Sequence, residues 1–292
     1  MHAQKKCVLV HGEIEKIFQK EELLLITKRY EDLKFTDDFM FCKVLTNYED
    51  VCKDLLELIL DIKIDHIEYP KSQAAFESGY DAHGIRLDVY TKDDNAVYDI
   101  EMQTTTGRDI PRRMRYYQSM IDSNQLERGV DYENLKDSYI IFICLDDIIG
   151  ANMPIYRFQN ICKDKNDLCL GDGAYKIILN AKGDRGRISP DMSAFLDYLI
   201  AGRPNSNLTN KIEEIIDDAK SIGKWEKDFM LYGLKERDIK MEGYQEGISQ
   251  GMSQGIAQGR AQMQAEVDER DKRLAAKDRE IMLLKAQLKQ NN

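Results

Sequence analysis

Hydrophobic and polar residues alternate in two neighbouring segments of the chain, and this alternation predicts two strands. Residues 85–90 read Ile-Arg-Leu-Asp-Val-Tyr, and residues 96–103 read Ala-Val-Tyr-Asp-Ile-Glu-Met-Gln. The polar residues 92–95 between them, Lys-Asp-Asp-Asn, predict a hairpin turn. Side chains of a strand alternate between its two faces, so one face of the second strand should be rich in polar groups. That face carries Val97, Asp99, Glu101 and Gln103.

The register of this hairpin decides which of its acidic side chains meet. A two-residue turn at 93–94 would place Asp88 across from Asp99, and one at 94–95 would place it across from Glu101. Opposed residues have Cβ atoms about 4.5–5.5 Å apart, and like charges at that separation destabilise a sheet. We therefore expect a cation to compensate. Oxygen ligands favour Mg²⁺, for which Mn²⁺ would substitute.

The remaining periodicity predicts an α/β fold with a mixed central sheet flanked by helices. Apolar residues at helical spacing indicate helices over 12–28, 48–61 and 110–121, and over 191–240 with a break near Gly202. Further strands are expected at Ile64–Tyr69, ended by Pro70, at Tyr139–Leu145 and at Tyr175–Leu179. The run 139–145 is apolar on both faces, which is typical of a central strand covered by helices.

The C-terminal part of the chain follows a four-residue repeat. Its glycines are Gly243, Gly247, Gly251, Gly255 and Gly259. In a helix this period forms a slowly winding stripe, and each glycine costs about 1 kcal/mol relative to alanine. Either close helix–helix contact compensates for that cost, or the segment is a flexible spacer.

Beyond the glycines, apolar residues fall seven positions apart. They are Val267, Leu274, Ile281 and Leu288. This spacing is typical of a marginal coiled coil, which would allow a homodimer through the C-terminal helix. A lone charged helix with one apolar stripe is the alternative, and the pattern leaves both open.

Composition limits the location and the kind of partner. The chain of 292 residues contains no apolar run long enough to span a bilayer, and no secretory h-region follows Lys5-Lys6. Its six cysteines form no Cys-x-x-Cys pair, which argues against zinc ligation and a disulfide framework and favours a reducing cytoplasm. A net charge of -10 argues against binding nucleic acid by charge alone. A bound metal or a local group of cations could still attract it.

The densest group of cations lies in residues 108–115, which contain four arginines. If residues 110–121 are helical, with Asp109 as a plausible N-cap, Arg112 shares a face with Tyr116 and Arg113 shares one with Tyr117. In the functional interpretation Arg112, Arg113 and Tyr116 contact DNA phosphates. In the alternative, the apolar residues of the helix pack on the sheet and its arginines pair with nearby carboxylates.

Asp88, followed thirteen residues later by Glu101-Met102-Gln103, resembles the PD-(D/E)xK nuclease core. The Glu-x-Gln variant is similar to the Rpn branch, the recombination-promoting nucleases and putative transposases. Residues 35–41, 112–117 and 129–132 support the resemblance by their order, and together the motifs span roughly residues 35–200.

The resemblance implies a Mg²⁺-dependent DNA endonuclease with a role in recombination or transposition. Asp88 and Glu101 would hold the metal, and Gln103 would replace the usual lysine. A neutral amide can orient water or a phosphate oxygen, but it supplies no positive charge and cannot act as a general base. The alternatives are a degenerate nucleic-acid-binding module and an oligomeric scaffold that works through its helical tail.

Three further acids are candidates for the same metal site. Asp38 and Glu77 could each reach the metal from a helix or serve as a helix cap or a surface charge. Asp99 could be a structural residue or an additional ligand.

The patterns together predict five segments along the chain. These are an N-terminal helical segment (1–32), a nuclease-like domain (33–204), a helical extension (205–240), the glycine-repeat segment (241–264) and the marginal coiled-coil helix (265–292).

Overall fold

The computed structural model describes residues 28–68, 70–76, 85–105, 107, 109–126 and 129–290. It divides into two compact units, the first ending at Met230 and the second beginning at Leu231. Residues 12–27 of the predicted N-terminal helix and the candidate acid Glu77 lie outside the described residues.

The described strands and α-helices begin with two α-helices, continue with strands that one α-helix interrupts, and end with three α-helices. The strands are β1 (Lys71–Phe76), β2 (Ile85–Lys92), β3 (Ala96–Gln103), β4 (Asp137–Cys144), β5 (Ile155–Phe158), β6 (Ile161–Cys162), β7 (Lys165–Cys169) and β8 (Ala174–Asn180). The α-helices are α1 (Asp38–Asn47), α2 (Glu49–Leu60), α3 (Ile110–Gln125), α4 (Pro190–Ala201), α5 (Asn207–Ser221) and α6 (Glu226–Gln290). The predicted hairpin strands, the strands at 139–145 and 175–179, and the helices at 48–61 and 110–121 are therefore confirmed.

Six strands form one mixed sheet in the order β1-β2-β3-β4-β8-β5. The pairs β1–β2, β2–β3 and β8–β5 are antiparallel, whereas β3–β4 and β4–β8 are parallel. The predicted mixed α/β sheet flanked by helices is confirmed. As expected for a strand covered on both faces, β4 is almost completely buried.

Helix α3 connects the parallel strands β3 and β4 and covers one face of the sheet. Its apolar residues Ile110, Met114 and Ile121 join a buried cluster with Val97 of β3 and Phe142 of β4. A crossover helix is the usual connection between parallel strands, because such strands cannot be joined by a tight turn. This packing places the N-terminal half of α3 beside the C-terminal end of β3.

The strand predicted at Ile64–Tyr69 is wrong. Residues 64–68 form an irregular segment, and the edge strand β1 begins directly after Pro70 instead. Ile64 and Ile67 are both buried, but they lie three positions apart, and a strand would turn them to opposite faces. The two buried side chains therefore attach a loop to the core. Proline can begin a strand but cannot donate a hydrogen bond within it, which fits a strand that starts at residue 71.

The break predicted near Gly202 separates α4 from α5. Gly202 adopts a left-handed conformation with φ of 63° and ends α4, a position that glycine occupies at little cost. Ser206 and Thr209 then form a capping box that starts α5. Strands β5, β6 and β7 were not predicted, because they are short and do not alternate regularly.

Helix α6 is continuous through all five glycines of the four-residue repeat. The apolar side chains of Leu274 and Ile281 are about half exposed, and Ile248, Met252 and Ile256 between the glycines are also exposed. The side chain of Leu288 lies outside the described part of the chain. Among the described helices, none combines the length and the hydrophobicity needed to cross a bilayer.

Candidate metal-binding active site

Of the two registers considered for the hairpin, the structure has the one with the turn at 94–95. Val89 pairs with Ile100 and Lys92 with Val97, and continuing this register places Asp88 level with Glu101. The turn is closed by Asp93, whose N–H donates to the Ala96 carbonyl at 2.9 Å. Its carboxylate accepts the N–H groups of Asn95 and Ala96, each at 2.7 Å. A short polar side chain that binds the backbone within the turn stabilises this geometry.

Asp88 and Glu101 hold each other in place through the backbone of β2 and β3. The N–H of Asp88 donates to Oε1 of Glu101 at 2.9 Å, and the N–H of Met102 donates to Oδ2 of Asp88 at 3.1 Å. Each carboxylate thus accepts an amide hydrogen from the opposite strand. These contacts fix both side chains in the same small region at the end of the hairpin.

Helix α1 brings a third acid, Asp38, to this pair. Asp38 is the first residue of α1, where a negative charge interacts favourably with the helix dipole. Oxygen atoms of Asp38 and Asp88 and the sulfur of Cys42 all lie within 4.8 Å of one another. Asp38 and Cys42 are four positions apart on α1 and therefore share one face of the helix. Glu101 is not part of this compact trio, but the charge of Asp38 contributes to raising its pKa.

Cys42 was not predicted from the sequence as a member of the site. Its thiol lies 3.4 Å from the Asp88 carbonyl oxygen and 3.9 Å from Oδ1 of Asp38. Burial, followed by the charge of Asp38, raises the pKa of Cys42 well above its ordinary value, so the thiol is protonated. The only sequence signal was its position one helical turn after Asp38.

Asp99 is the fourth acid and lies deepest, completely buried on β3 two residues before Glu101. Neither of its carboxylate oxygens receives an N–H or O–H from the described residues. Burial, followed by the charges of Glu101 and Asp88, raises the pKa of Asp99 well above its ordinary value. The neighbouring Asp99 side chain in turn lowers the pKa of Glu101.

Burial and the nearby acids also raise the pKa values of Asp88 and Glu101. Burial, followed by the charges of Glu101 and Asp38, raises the pKa of Asp88 to about 8. Burial raises the pKa of Glu101 to about 7, against the opposing effects of the Asp88 N–H and the Arg113 cation. Carboxyls with such values cannot all be charged at neutral pH unless a cation offsets their repulsion.

Gln103 at the end of β3 is held by three hydrogen bonds to two neighbouring residues. Its Oε1 accepts a hydrogen bond from Nη1 of Arg113 at 3.0 Å. Its Nε2 donates to the carbonyl oxygen of Thr105 at 2.8 Å and to the Thr105 hydroxyl at 3.0 Å. These contacts fix both the position and the orientation of the amide.

Arg113 of α3 points inward toward the acids. Its Nη2 lies 3.5 Å from Oε2 of Glu101 and donates to the Tyr117 hydroxyl at 3.1 Å. The guanidinium also lies 5.2 Å from the ring centroid of Phe142 and 5.4 Å from that of Tyr117, which is within the range of cation–π attraction. Its contact with Glu101 corresponds to the alternative in which an arginine of this helix pairs with a carboxylate.

The other two residues predicted to contact DNA lie on the outer side of α3. Arg112 is exposed, and Tyr116, one turn later, is 37% exposed. The phosphate contacts predicted for Arg112, Arg113 and Tyr116 stay predictions. Asp109 occupies the N-cap position, as expected, but its side chain makes no capping hydrogen bond. Its carbonyl oxygen accepts the N–H groups of Arg112 and Arg113 instead.

The donors of this site suit a hard divalent cation. Asp38, Asp88 and Glu101 offer carboxylate oxygens, the ligand type that Mg²⁺ and Mn²⁺ prefer. Asp38 and Asp88 remain partly exposed, so an ion can reach them from solvent, whereas Glu101 and Asp99 close the site from the protein side.

Comparison with known proteins gives a family match over a segment that includes Asp38, Asp88, Asp99 and Glu101. Residues 35–162 match the family model described as PD-(D/E)XK nuclease family transposase. No curated protein and no solved structure showed a significant match to the chain.

Proposed function

We propose that this chain is a Mg²⁺-dependent DNA endonuclease that hydrolyses phosphodiester bonds, because residues 35–162 match the family model described as PD-(D/E)XK nuclease family transposase. The observation that carries the proposal is the convergence of Asp38, Asp88 and Glu101, with Asp99 buried beside them. Such a concentration of acidic groups is costly to a folded protein unless a cation or protons neutralise it.

Asp38, Asp88 and Glu101 would hold the metal, with Mn²⁺ as a substitute for Mg²⁺. When bound, the metal supplies Lewis-acid stabilisation of the charge that develops on the scissile phosphate and promotes deprotonation of a water nucleophile. The two backbone N–H groups that bind Asp88 and Glu101 fix their carboxylates in advance, so little reorganisation is needed on binding. Asp99 is buried on the same face of β3 and, when protonated, adds no negative charge beside Glu101.

DNA would approach along the outer side of α3. Arg112 and Tyr116 are exposed one turn apart, and side chains of these types bind phosphate oxygens and position the duplex without reading its sequence. Since the chain carries a net charge of -10, such local contacts matter more here than long-range attraction.

A role in recombination or in the movement of DNA elements is the finer part of this proposal and rests on the family description. Reactions of that kind need two DNA ends held together. Self-association through α6 would meet this need, because its glycine stripe and exposed apolar residues offer a surface to a second copy. We therefore include a homodimer in the proposal.

Plasmid cleavage tests the activity. The full chain should nick supercoiled plasmid in Mg²⁺ or Mn²⁺ and should not do so in a chelator. Asp88→Ala and Glu101→Ala should each lower the rate by about 100-fold or more, which is typical of losing a group that stabilises transition-state charge. Glu133→Ala removes an exposed acid outside the site and is the matched control.

The folded state of each variant is checked by circular dichroism. Failure of the wild-type chain to cleave in either metal would contradict the proposal, as would undiminished cleavage by Glu101→Ala. A chain that shifts DNA on a gel without cutting it would indicate the degenerate binding module. A chain that neither cuts nor binds DNA but still self-associates would indicate the scaffold.

A further inference from the structure

We propose that Arg113 is a catalytic residue of this site, where its guanidinium stabilises the negative charge that develops on the scissile phosphate. This inference rests on the proposed nuclease function. Neither the acids nor the neutral Gln103 can supply a positive charge to the phosphate. Arg113 can supply it from α3, ten residues after Gln103, whose amide oxygen it contacts.

A phosphate that enters this site meets mostly negative groups. Asp38, Asp88 and Glu101 converge there, and one metal ion carries only two positive charges. Charge that develops on a phosphate is stabilised by positioned cations and N–H donors. Arg113 is a cation in contact with both Glu101 and Gln103.

The guanidinium of Arg113 lies next to the end of the Gln103 side chain. Nη1 lies 3.0 Å from Oε1 of Gln103, and Nη2 lies 3.5 Å from Oε2 of Glu101. Glu101 and Gln103 are two positions apart on β3, so their side chains project to the same face. The guanidinium therefore bridges the metal-binding acid and the amide beside it.

The guanidinium is fixed before any substrate binds. The rings of Tyr117 and Phe142 lie against it, and the Tyr117 hydroxyl accepts a hydrogen bond from Nη2 at 3.1 Å. A cation in a partly desolvated place acts more strongly than one in bulk water. A preset geometry also avoids reorganisation during the reaction.

Arg113 can still reach a phosphate. Its side chain is 32% exposed, so one side of the group opens to solvent. Its hydrogen bonds to the described residues use two of the five N–H donors of a guanidinium, whose planar fork suits phosphate oxygens. Arg115 of the same helix lies on the exposed surface.

Gln103 acts in this arrangement as a positioning residue. Because its amide nitrogen donates to Thr105, its oxygen is turned toward Arg113 and holds that side chain next to Glu101. A lysine at position 103 could place its ammonium group where the Arg113 guanidinium now lies. The two positions should therefore be interchangeable as sources of positive charge.

This exchange gives the experiment. Plasmid cleavage in Mg²⁺ is compared for the full-length wild type, Arg113→Met, Arg113→Lys, and the double variant Arg113→Met with Gln103→Lys. Methionine keeps an unbranched stem between the rings of Tyr117 and Phe142 and removes only the charge and the donors. Arg115→Ala is the control for losing a cation from the same helix.

We expect Arg113→Met to lower the cleavage rate by about 100-fold or more at saturating DNA. The wild-type melting temperature and DNA affinity should be nearly retained. Arg113→Lys should keep part of the rate, and Arg115→Ala should keep almost all of it. The double variant should recover at least about tenfold over Arg113→Met, because the charge is restored from β3.

A purely structural role for Arg113 predicts a different result, because the added lysine would then repair nothing. Undiminished cleavage by Arg113→Met, or the absence of recovery in a folded double variant, overturns the inference while wild-type cleavage still supports the nuclease. If Arg113→Met does not fold, Arg113→Lys decides: a rate as low as that of Glu101→Ala overturns the inference, and a partly kept rate supports it. A wild-type chain that does not cleave overturns both.

Discussion

The amide N–H of Asp88 donates to the carboxylate of Glu101 at 2.9 Å, so the first acid of the site fixes the second through its own backbone. The two side chains consequently stay together whether or not their charges repel. This arrangement makes the stability of the metal-free protein depend on the protonation of both carboxyls.

Without metal, the folded protein should lose stability as the pH rises. Folding raises the pKa of Asp88 from 3.8 to about 8 and that of Glu101 from 4.5 to about 7. The folded state therefore binds more protons than the unfolded state between these values, and stability falls with pH in that window. The contribution is complete below about pH 4 and is lost as the pH passes 7 to 8.

Thermal unfolding in a chelator measures this effect. The melting temperature of the wild type should fall between pH 5 and pH 8, and Asp88→Asn, which cannot ionise at this position, should fall less steeply. Equal slopes for the two proteins would show that Asp88 does not have the raised pKa.

Added Mg²⁺ should reverse the loss. A ligand that binds only the folded state stabilises it by mass action, and metal binding requires ionised carboxylates. The rise in melting temperature on adding Mg²⁺ should therefore be larger at pH 8 than at pH 6. It should disappear in Asp88→Ala and persist in Glu133→Ala. A shift that is the same in wild type and Asp88→Ala would place the metal elsewhere.

Cys42 should make the site sensitive to soft metals. Its sulfur lies within 4.8 Å of ligand oxygens of Asp38 and Asp88, and a bound soft ion would favour loss of the thiol proton. Micromolar Cd²⁺ should therefore inhibit Mg²⁺-dependent cleavage by the wild type. Cys42→Ala should keep its Mg²⁺-dependent rate and lose most of the inhibition. Equal inhibition of both proteins would exclude the thiol as a ligand.

The alternation of the hairpin predicted its strands but could not choose its register. Two turns were compatible with the pattern, and the choice depends on Asp93, whose carboxylate binds two N–H groups inside the turn. That contact depends on the three-dimensional conformation of one side chain, which periodicity does not contain. Once the turn is set, the levels of Asp88 and Glu101 follow.

The hydrophobic pattern also could not predict which face of α3 packs on the sheet. The pattern placed Arg112 and Arg113 on two adjacent faces but did not say which face met the sheet. Packing of Met114 and Ile121 on the core decides this and turns Arg113 toward Glu101. Cys42 was not predicted for a related reason, since its place in the site depends on how α1 packs beside β2. Contacts between residues that are far apart in the chain produce no pattern in the local sequence.

The glycine repeat of α6 allows a test in which two physical effects oppose each other. Replacing Gly247, Gly251 and Gly255 by alanine should stabilise an isolated helix by about 1 kcal/mol per position. If the glycines allow close approach of a second helix, the added methyl groups would separate the backbones. An added Cβ at these positions meets nothing within 4 Å in the single chain, so any obstruction must come from a partner.

We therefore predict that the triple alanine variant gains helicity and loses self-association in analytical ultracentrifugation. Gly233→Ala is a suitable control, because that glycine lies in the same helix before the repeat and its added Cβ also meets nothing. It should leave the association unchanged. A triple variant that associates as strongly as the wild type would show that the stripe is not a contact surface. A wild-type chain that is monomeric at every concentration would remove the homodimer from the proposed function and leave the nuclease site unaffected.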